Sequence, residues 1–149
     1  MIQHIDVHAV LQESVSGVYA DLVTRPTGRV VRERIERAMA TAQDAVTVAR
    51  IDFTGVGCID YSCADEIVAK LLRDRRAVVV LSGISDGHRE AIEPVLAGHG
   101  LAALIELRHG SGELEALGAP EAAAALLQDL VARRLAVRTS AGTIALTLA

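Results

Sequence analysis

An α/β fold is predicted: a sheet of mixed, partly parallel strands with helices packed on it, followed by a C-terminal helix and β-hairpin. Three observations lead to that expectation. Short β-rich runs alternate with longer amphipathic runs along most of the chain, the pattern of strand–helix–strand crossovers. One run, "AVVVLSGI", is apolar almost throughout, as a strand covered on both faces must be. Hydrophobic residues make up 51% of the 149 residues while aromatics make up 2%, so the core must be built from Ala, Val, Leu and Ile. The length suits one domain with a modest core.

Taken in order, the first clear strand is "GVYADLV", Gly17 to Val23, with weaker strand signals upstream at "IQHIDVHAV" and "LQESV". "TRPTGRVVRERIERAMATA" predicts a helix. Pro26 stands near its start, where a missing N–H costs least. Val30, Val31, Ile35, Ala38 and Met39 recur at roughly helical spacing. Arg29–Glu33 and Glu33–Arg37 are i,i+4 pairs of a solvated face. "VTVARIDFTGV" is a strand that ends at the turn residues Gly55 and Gly57. "YSCADEIVAKLLRDR" is a helix whose apolar stripe is Ala64, Ile67, Val68 and Leu71.

The apolar strand "AVVVLSGI" follows. "SDGHREAIEPVLAGHG" reads as a helix capped by Ser85 or Asp86. Pro94 marks a kink or an early first turn, and Gly98 and Gly100 end the helix. "LAALIEL" is a strand, and "RHGSGELEALGA" a loop with a short turn. "PEAAAALLQDLVARR" is a helix opened by Pro120, and "LAVRTSAGTIALTLA" a hairpin around "SAG". The order from Gly17 is β-α-β-α-β-α-β. The chain therefore divides into residues 1–110, the α/β part, and 111–149, a helix–hairpin extension free to pack on the same domain.

Composition excludes several function classes. Two Tyr, one Phe and no Trp leave no stacking platform for bases. A formal charge of −4 offers no general attraction to phosphate backbones or anionic membranes. No window of about 18 apolar residues is free of charge, so no membrane span is expected. The N-terminal "MIQHIDVHAVLQESV" lacks the basic start and apolar run of a secretion signal. Cys58 and Cys63 match neither a zinc-ligand set nor a disulfide framework. A cytoplasmic protein with reduced thiols is the plain expectation. His4, Asp6 and His8 alternate and would share one face of a strand, but nothing supplies further metal ligands; no metal site and no cofactor are expected. "SGISDGHRE" lacks the spacing of a phosphate-cradling loop.

The chemistry-bearing residues crowd one place, "IDYSCADE", where a strand-to-helix turn opens a helix. Asp60 is a strong N-cap, and Asp65 and Glu66 suit the positive end of the helix dipole. The stretch resembles the STAS domain of anti-sigma-factor antagonists, in which a strand ends in aspartate and the next helix opens with Asp-Ser-Ser-Gly or Asp-Thr-Ser-Gly. It is closer still to a STAS-like family of uncharacterised bacterial proteins with an Asp-Phe strand, a serine, and then Ala-Asp-Glu. Here these are Asp52–Phe53, Ser62 and Ala64–Asp65–Glu66. "TRPTGRVVRERIE" is similar to that family's Ser/Thr-Arg, Gly-Arg and Arg-Arg segment. "VVVLSGISDGHREAIEPVLAGHGLAALIEL" is similar to the strand, helix and strand that follow the phosphorylation loop. The resemblance spans roughly Gly17 to Leu107. Tyr61 stands where antagonists usually have Ser or Thr, and Cys63 where they have Gly.

The resemblance implies a regulatory module rather than an enzyme. Ser62 occupies the phosphorylated position, and Asp60, Tyr61, Ser62, Cys63, Asp65 and Glu66 form a partner-binding turn. The implied partner is a histidine-kinase-like ATPase of the anti-sigma type, which would use ATP and magnesium while this chain needs no cofactor. Phosphate on the first turn of a helix gains N–H donors, yet here it also meets Asp60, Asp65 and Glu66. A helix cap with no further role is the plainer reading of the same residues. A thiol or serine enzyme needs a base and an oxyanion site, and none of His4, His8, His88, His99 and His109 forms a recognisable pattern with Cys63. In the tail, a helix and hairpin resemble half of a winged helix, and Arg133, Arg134 and Arg138 make it locally basic. It is a candidate nucleic-acid contact, or else a layer that covers a sheet edge or mediates dimerisation.

Overall fold

Short apolar runs supply the central strands, and strand pairing positions the rest. The computed structural model describes residues 2–15, 20–41, 48–73, 78–140 and 143–147. Four strands run parallel in chain order: β1 (Ile2–Asp6), β2 (Val48–Asp52), β3 (Val78–Ser82) and β4 (Ala102–Glu106). Three more are antiparallel: β5 (Glu113–Gly118), β6 (Ala136–Arg138) and β7 (Ile144–Leu146). Together they make one seven-stranded sheet in the order β1-β2-β3-β4-β5-β7-β6.

Register places one apolar row across the parallel half: Ile5 faces Ile51, Ile51 faces Leu81, and Leu81 faces Ile105. All four are buried. Their face is covered by α1 (Val7–Ser14), α2 (Arg25–Thr41), the continuous helix from Tyr61 to Arg73, and α5 (Asp86–Gly98). The other face carries Val48, Val78, Val80, Leu104, Leu114 and Ile144, against which α6 (Pro120–Ala132) packs Leu130. Helices thus lie on both faces, as the near-continuous apolar run of β3 requires: all five of its residues are buried.

Caps explain the helix starts. Asp6 accepts from the Ala9 N–H at 3.1 Å to open α1. Ser85 and His88 form a reciprocal capping box at α5, which settles the choice between Ser85 and Asp86. Pro120 stands at the first turn of α6. Gly100, at φ +67°, ends the α5 segment: its N–H bonds to the Ala97 carbonyl and that of Leu101 to the Leu96 carbonyl. Pro94 lies inside α5 rather than at its first turn.

Several expectations need correction. The first strand is Ile2–Asp6, followed at once by α1, whereas Gly17–Tyr19 lie outside the described residues and Leu22 makes only one parallel bridge, to Ile59. The weaker strand signal at "IQHIDVHAV" is thus this strand, weak because Ile5 turns into the core while His4 and Asp6 are exposed. The stretch expected as a loop after β4 contains β5, paired along its length with β4. Glu, Leu and Ala are weak strand formers, so pairing overrides propensity there. The helix and hairpin after residue 111 are present, and β5 pairs with β4 as β7 does with β5, so a boundary at 110/111 falls within one sheet. The helix from Tyr61 to Arg73 is not uniform: Ala64–Ala69 is π-helical, flanked by α3 (Tyr61–Cys63) and α4 (Lys70–Arg73). The i,i+4 ion pair on α2 is Arg32–Glu36, at 2.6 Å.

Leu114 is fully buried between Glu106 of β4 and Ile144 of β7. Leu114→Ala should lower stability by about 2–5 kcal/mol in a single cooperative urea transition. Two separate transitions in that measurement would contradict a shared sheet.

Candidate functional site

The turn before the long helix is built by one carboxylate. Asp60 has extended backbone angles (φ −92°, ψ 172°), as an N-cap must. Its Oδ1 accepts the Cys63 N–H at 2.8 Å and the Ser62 hydroxyl at 2.7 Å. Its Oδ2 accepts the Thr24 N–H at 2.9 Å, from the residue that leads into α2. Partial burial raises the Asp60 pKa, but the N–H groups of Cys63 and Thr24 and the Ser62 hydroxyl outweigh it, so the carboxyl sits below its usual range.

Segment 20–24 is held beside this turn like a strand. Leu22 donates to the Cys58 carbonyl at 2.8 Å, and Asp60 donates to the Leu22 carbonyl at 3.0 Å. Gly57 donates to the Ala20 carbonyl at 2.7 Å, and Asp21 Oδ1 accepts the Cys58 N–H at 2.8 Å. His88 Nδ1 accepts from the Ser85 N–H, so its Nε2–H donates to the Gly57 carbonyl at 2.7 Å and ties α5 to the same loop. Thr24 sits at φ +71°, a strained angle for a β-branched residue.

Glu66, one turn on, joins α2 to the helix from below. Its side chain is only 1% exposed, and three cations meet it: Lys70 Nζ at 2.8 Å, Arg25 Nη1 at 2.9 Å and Arg32 Nη2 at 3.6 Å. Burial pushes its pKa up, yet Lys70 and Arg25 bring it below the ordinary value. The backbones approach closely here. A Cβ on Gly28 would stand 3.0 Å from Glu66 Cβ and 3.2 Å from the Cys63 Cα and Sγ, so α2 needs a glycine at that point. Asp65 accepts from Arg25 at 2.7 Å and from His99 Nε2 at 2.8 Å. Arg73 donates to His99 Nδ1 at 2.7 Å, which leaves the proton of a neutral ring on Nε2, pointing at Asp65. The Arg25 hydrogen bond, and then His99 against the effect of burial, hold Asp65 below the usual carboxylate range.

The six expected contact residues therefore separate. Tyr61 is exposed, at 64%, and Asp60, Ser62 and Asp65 are partly exposed. Cys63 and Glu66 are buried and offer a partner nothing directly, which corrects the expectation for those two. The Cys63 thiol donates to the Thr24 carbonyl at 3.1 Å, and burial followed by the Asp60 charge pushes its pKa up to about 12. It is a protonated packing thiol, the opposite of an activated nucleophile.

Sequence reasoning left Thr24, Arg25, Lys70 and His99 out of the site. The Thr24–Arg25–Pro26 similarity hinted at the first two, and the i,i+4 spacing of Glu66 and Lys70 was a signal for the third; His99 carries no motif. Arg133, Arg134 and Arg138 are exposed at the end of α6 and on β6, beyond the other face of the sheet. Arg133 reaches Asp129 at 3.4 Å, Arg134 takes φ +60°, and Arg138 lies on the edge strand of the sheet rather than on a free wing. His4, Asp6 and His8 do not converge, because β1 ends at Asp6 and His8 belongs to α1. Among the described residues no cluster of His, Cys, Asp or Glu is arranged to hold a metal ion, and no helix is long and apolar enough to cross a membrane.

No protein-family model matches the chain, and neither the curated proteins nor the solved structures yield a match.

Two measurements follow from this geometry. Iodoacetamide at neutral pH should label exposed Cys58 well before Cys63, as read by peptide mass spectrometry; fast labelling of Cys63 in the folded protein would contradict its burial. A depressed carboxyl stabilises the fold fully above its unfolded pKa near ~4 and loses that contribution as pH falls through its folded value. Asp60→Asn keeps a capping oxygen but removes the titration, so its unfolding free energy should fall less steeply than that of the wild type below about pH 4. Parallel acid limbs would remove Asp60 from the acid response.

Proposed function

We propose that the protein is a non-catalytic regulatory module that docks a protein partner through the exposed turn formed by Asp60, Tyr61, Ser62 and Asp65 with Thr24 and Arg25, and that phosphorylation of Ser62 switches it. The observation that carries the reading is the hydrogen bond from Ser62 to Asp60 at 2.7 Å. The same carboxylate caps the helix and holds the entry to α2. Phosphorylation removes the hydroxyl proton from that bond and sets a dianion beside Asp60 and Asp65. Arg25, half-exposed and paired with both Asp65 and Glu66, is a cation for which that dianion would compete. The local charge and the orientation of Thr24 and Arg25 would change together.

Tyr61 adds an exposed aromatic of the kind that anchors interfaces. The likeness of Asp52–Phe53, Ser62 and Ala64–Asp65–Glu66 to STAS domains points to the partner: a histidine-kinase-like ATPase of the anti-sigma type, which brings its own ATP and magnesium. A cytoplasmic location belongs to the same proposal.

Affinity capture from a cell extract, followed by titration of the ATPase recovered, tests the switch. Ser62→Ala should bind as the wild type does, and Ser62→Asp about tenfold or more weakly, equivalent to about 1.4 kcal/mol. Equal affinity of all three proteins, or no ATPase among the captured chains, would overturn the reading.

A further inference from the structure

The sheet face opposite the turn is only partly covered. An α-helix with its side chains is about 10–12 Å across, little more than two strand spacings of about 4.8 Å. One helix cannot roof seven strands, and α6 packs over β4, β5 and β6. Between this face of β1, β2 and β3, the end of β4 and Leu146 of β7 lies a cavity of about 240 Å³. Its walls are apolar on one side, from Ile2, Val48, Val80 and Leu146. Its other side is polar, from Arg50, His4, Glu106 and the backbone of 110–112.

The polar side is built rather than incidental. Glu106 ends β4, and its side chain is 3% exposed. It accepts from Arg50 Nη2, from the Ser82 hydroxyl at 2.9 Å, and from the Gly110 and Gly112 N–H groups at 2.7 and 3.2 Å. Burial raises its pKa, and the Gly110 N–H and Arg50 hold it below the ordinary value all the same. Glu106 is therefore fully met and asks nothing of a ligand. Arg50 is not. Its side chain lies 16% exposed in the cavity wall, and its Nε is buried without an acceptor. His4 stands directly across from Arg50 on the neighbouring strand, exposed and without a partner among the described residues. One end of a small apolar trough is thus bordered by a guanidinium that Glu106 engages through Nη2 and by an exposed, unpartnered imidazole.

We propose that this cavity binds a small carboxylic acid with an aliphatic tail, the carboxylate on Arg50 and His4 and the tail against Ile2, Val48, Val80 and Leu146. A carboxylate fits the planar donor edge of a guanidinium better than a single-point acceptor does. The volume falls just below the roughly 300–1,000 Å³ of pockets that hold drug-sized ligands, so the ligand is short. The inference is independent of the Ser62 switch, which lies on the helix-covered side of the sheet.

Hexanoate is the probe, with hexanol as its uncharged control, followed by methyl NMR on the full chain. Hexanoate should shift the Ile2, Val48, Val80 and Leu146 methyls saturably. Hexanol should bind about tenfold or more weakly, the ratio set by one charge-assisted hydrogen bond. Ile2→Phe fills the trough from its half-exposed rim without touching the Arg50–Glu106 pair, and should weaken hexanoate by a similar factor; His4→Gln should weaken it less. Unshifted methyls at tens of millimolar hexanoate, equal affinity for hexanol, or binding unaffected by Ile2→Phe would each overturn the proposal.

Discussion

The Asp60 carboxylate is the constraint on which the helical side of the molecule depends. A partly buried charge must be matched by donors, and three reach it: two backbone N–H groups and one hydroxyl. Because one of those N–H groups belongs to Thr24, the start of α2 and the start of the next helix are referred to a single side chain. Thr24 takes a left-handed conformation that a β-branched residue avoids in isolation, so its surroundings must hold it there. The strained Thr24, a π-helical stretch and an exposed tyrosine are thus gathered at the turn from two separate segments of the chain. Backbone strain and π-helical turns are each enriched at functional sites.

Glu66 supports that arrangement from within. A buried carboxylate with three cations around it contributes little net stability, because desolvation offsets the attraction, but losing one partner would leave charge unpaired. Its effect is geometric. Arg25 and Arg32 from α2 and Lys70 from the following helix converge on it, and Gly28 lets the two backbones close to the distance this needs. The exposed side of Arg25 then falls beside Asp65, within reach of the Ser62 turn. The buried residues thus place the exposed ones, which is why Cys63 and Glu66 matter to the turn while offering nothing at its surface.

The sheet separates two kinds of chemistry. On one side an aliphatic core of Ile and Leu from four parallel strands carries the helices and the turn. On the other, a smaller core is closed by α6 and the terminal hairpin, and Arg50, His4 and Glu106 gather beside Leu146 of that hairpin. The switch from parallel to antiparallel pairing at β4 creates the loop at 107–112, and that loop supplies the N–H groups that satisfy Glu106. A charged residue at the end of an apolar strand would otherwise be out of place.

By itself the sequence determined the class of fold, the aliphatic core, and most element positions. Those follow from local periodicity, from caps such as Ser85 and Pro120, and from the apolar run of β3, all short-range properties of the chain. It also marked "IDYSCADE" as the stretch where chemistry concentrates, and Asp60 as its cap. Tertiary structure decided the rest. Ile2–Asp6, only a weak strand signal, and Glu113–Gly118, read as a loop, become strands through their neighbours, since Glu, His and Asp favour strands little until a partner strand supplies hydrogen bonds. The exposure of Tyr61 beside the burial of Cys63 and Glu66 depends on where α2 lies. Thr24, Arg25 and His99 join the turn across about thirty-four to forty-one residues of chain, and such long-range convergence leaves no periodic trace in a single sequence.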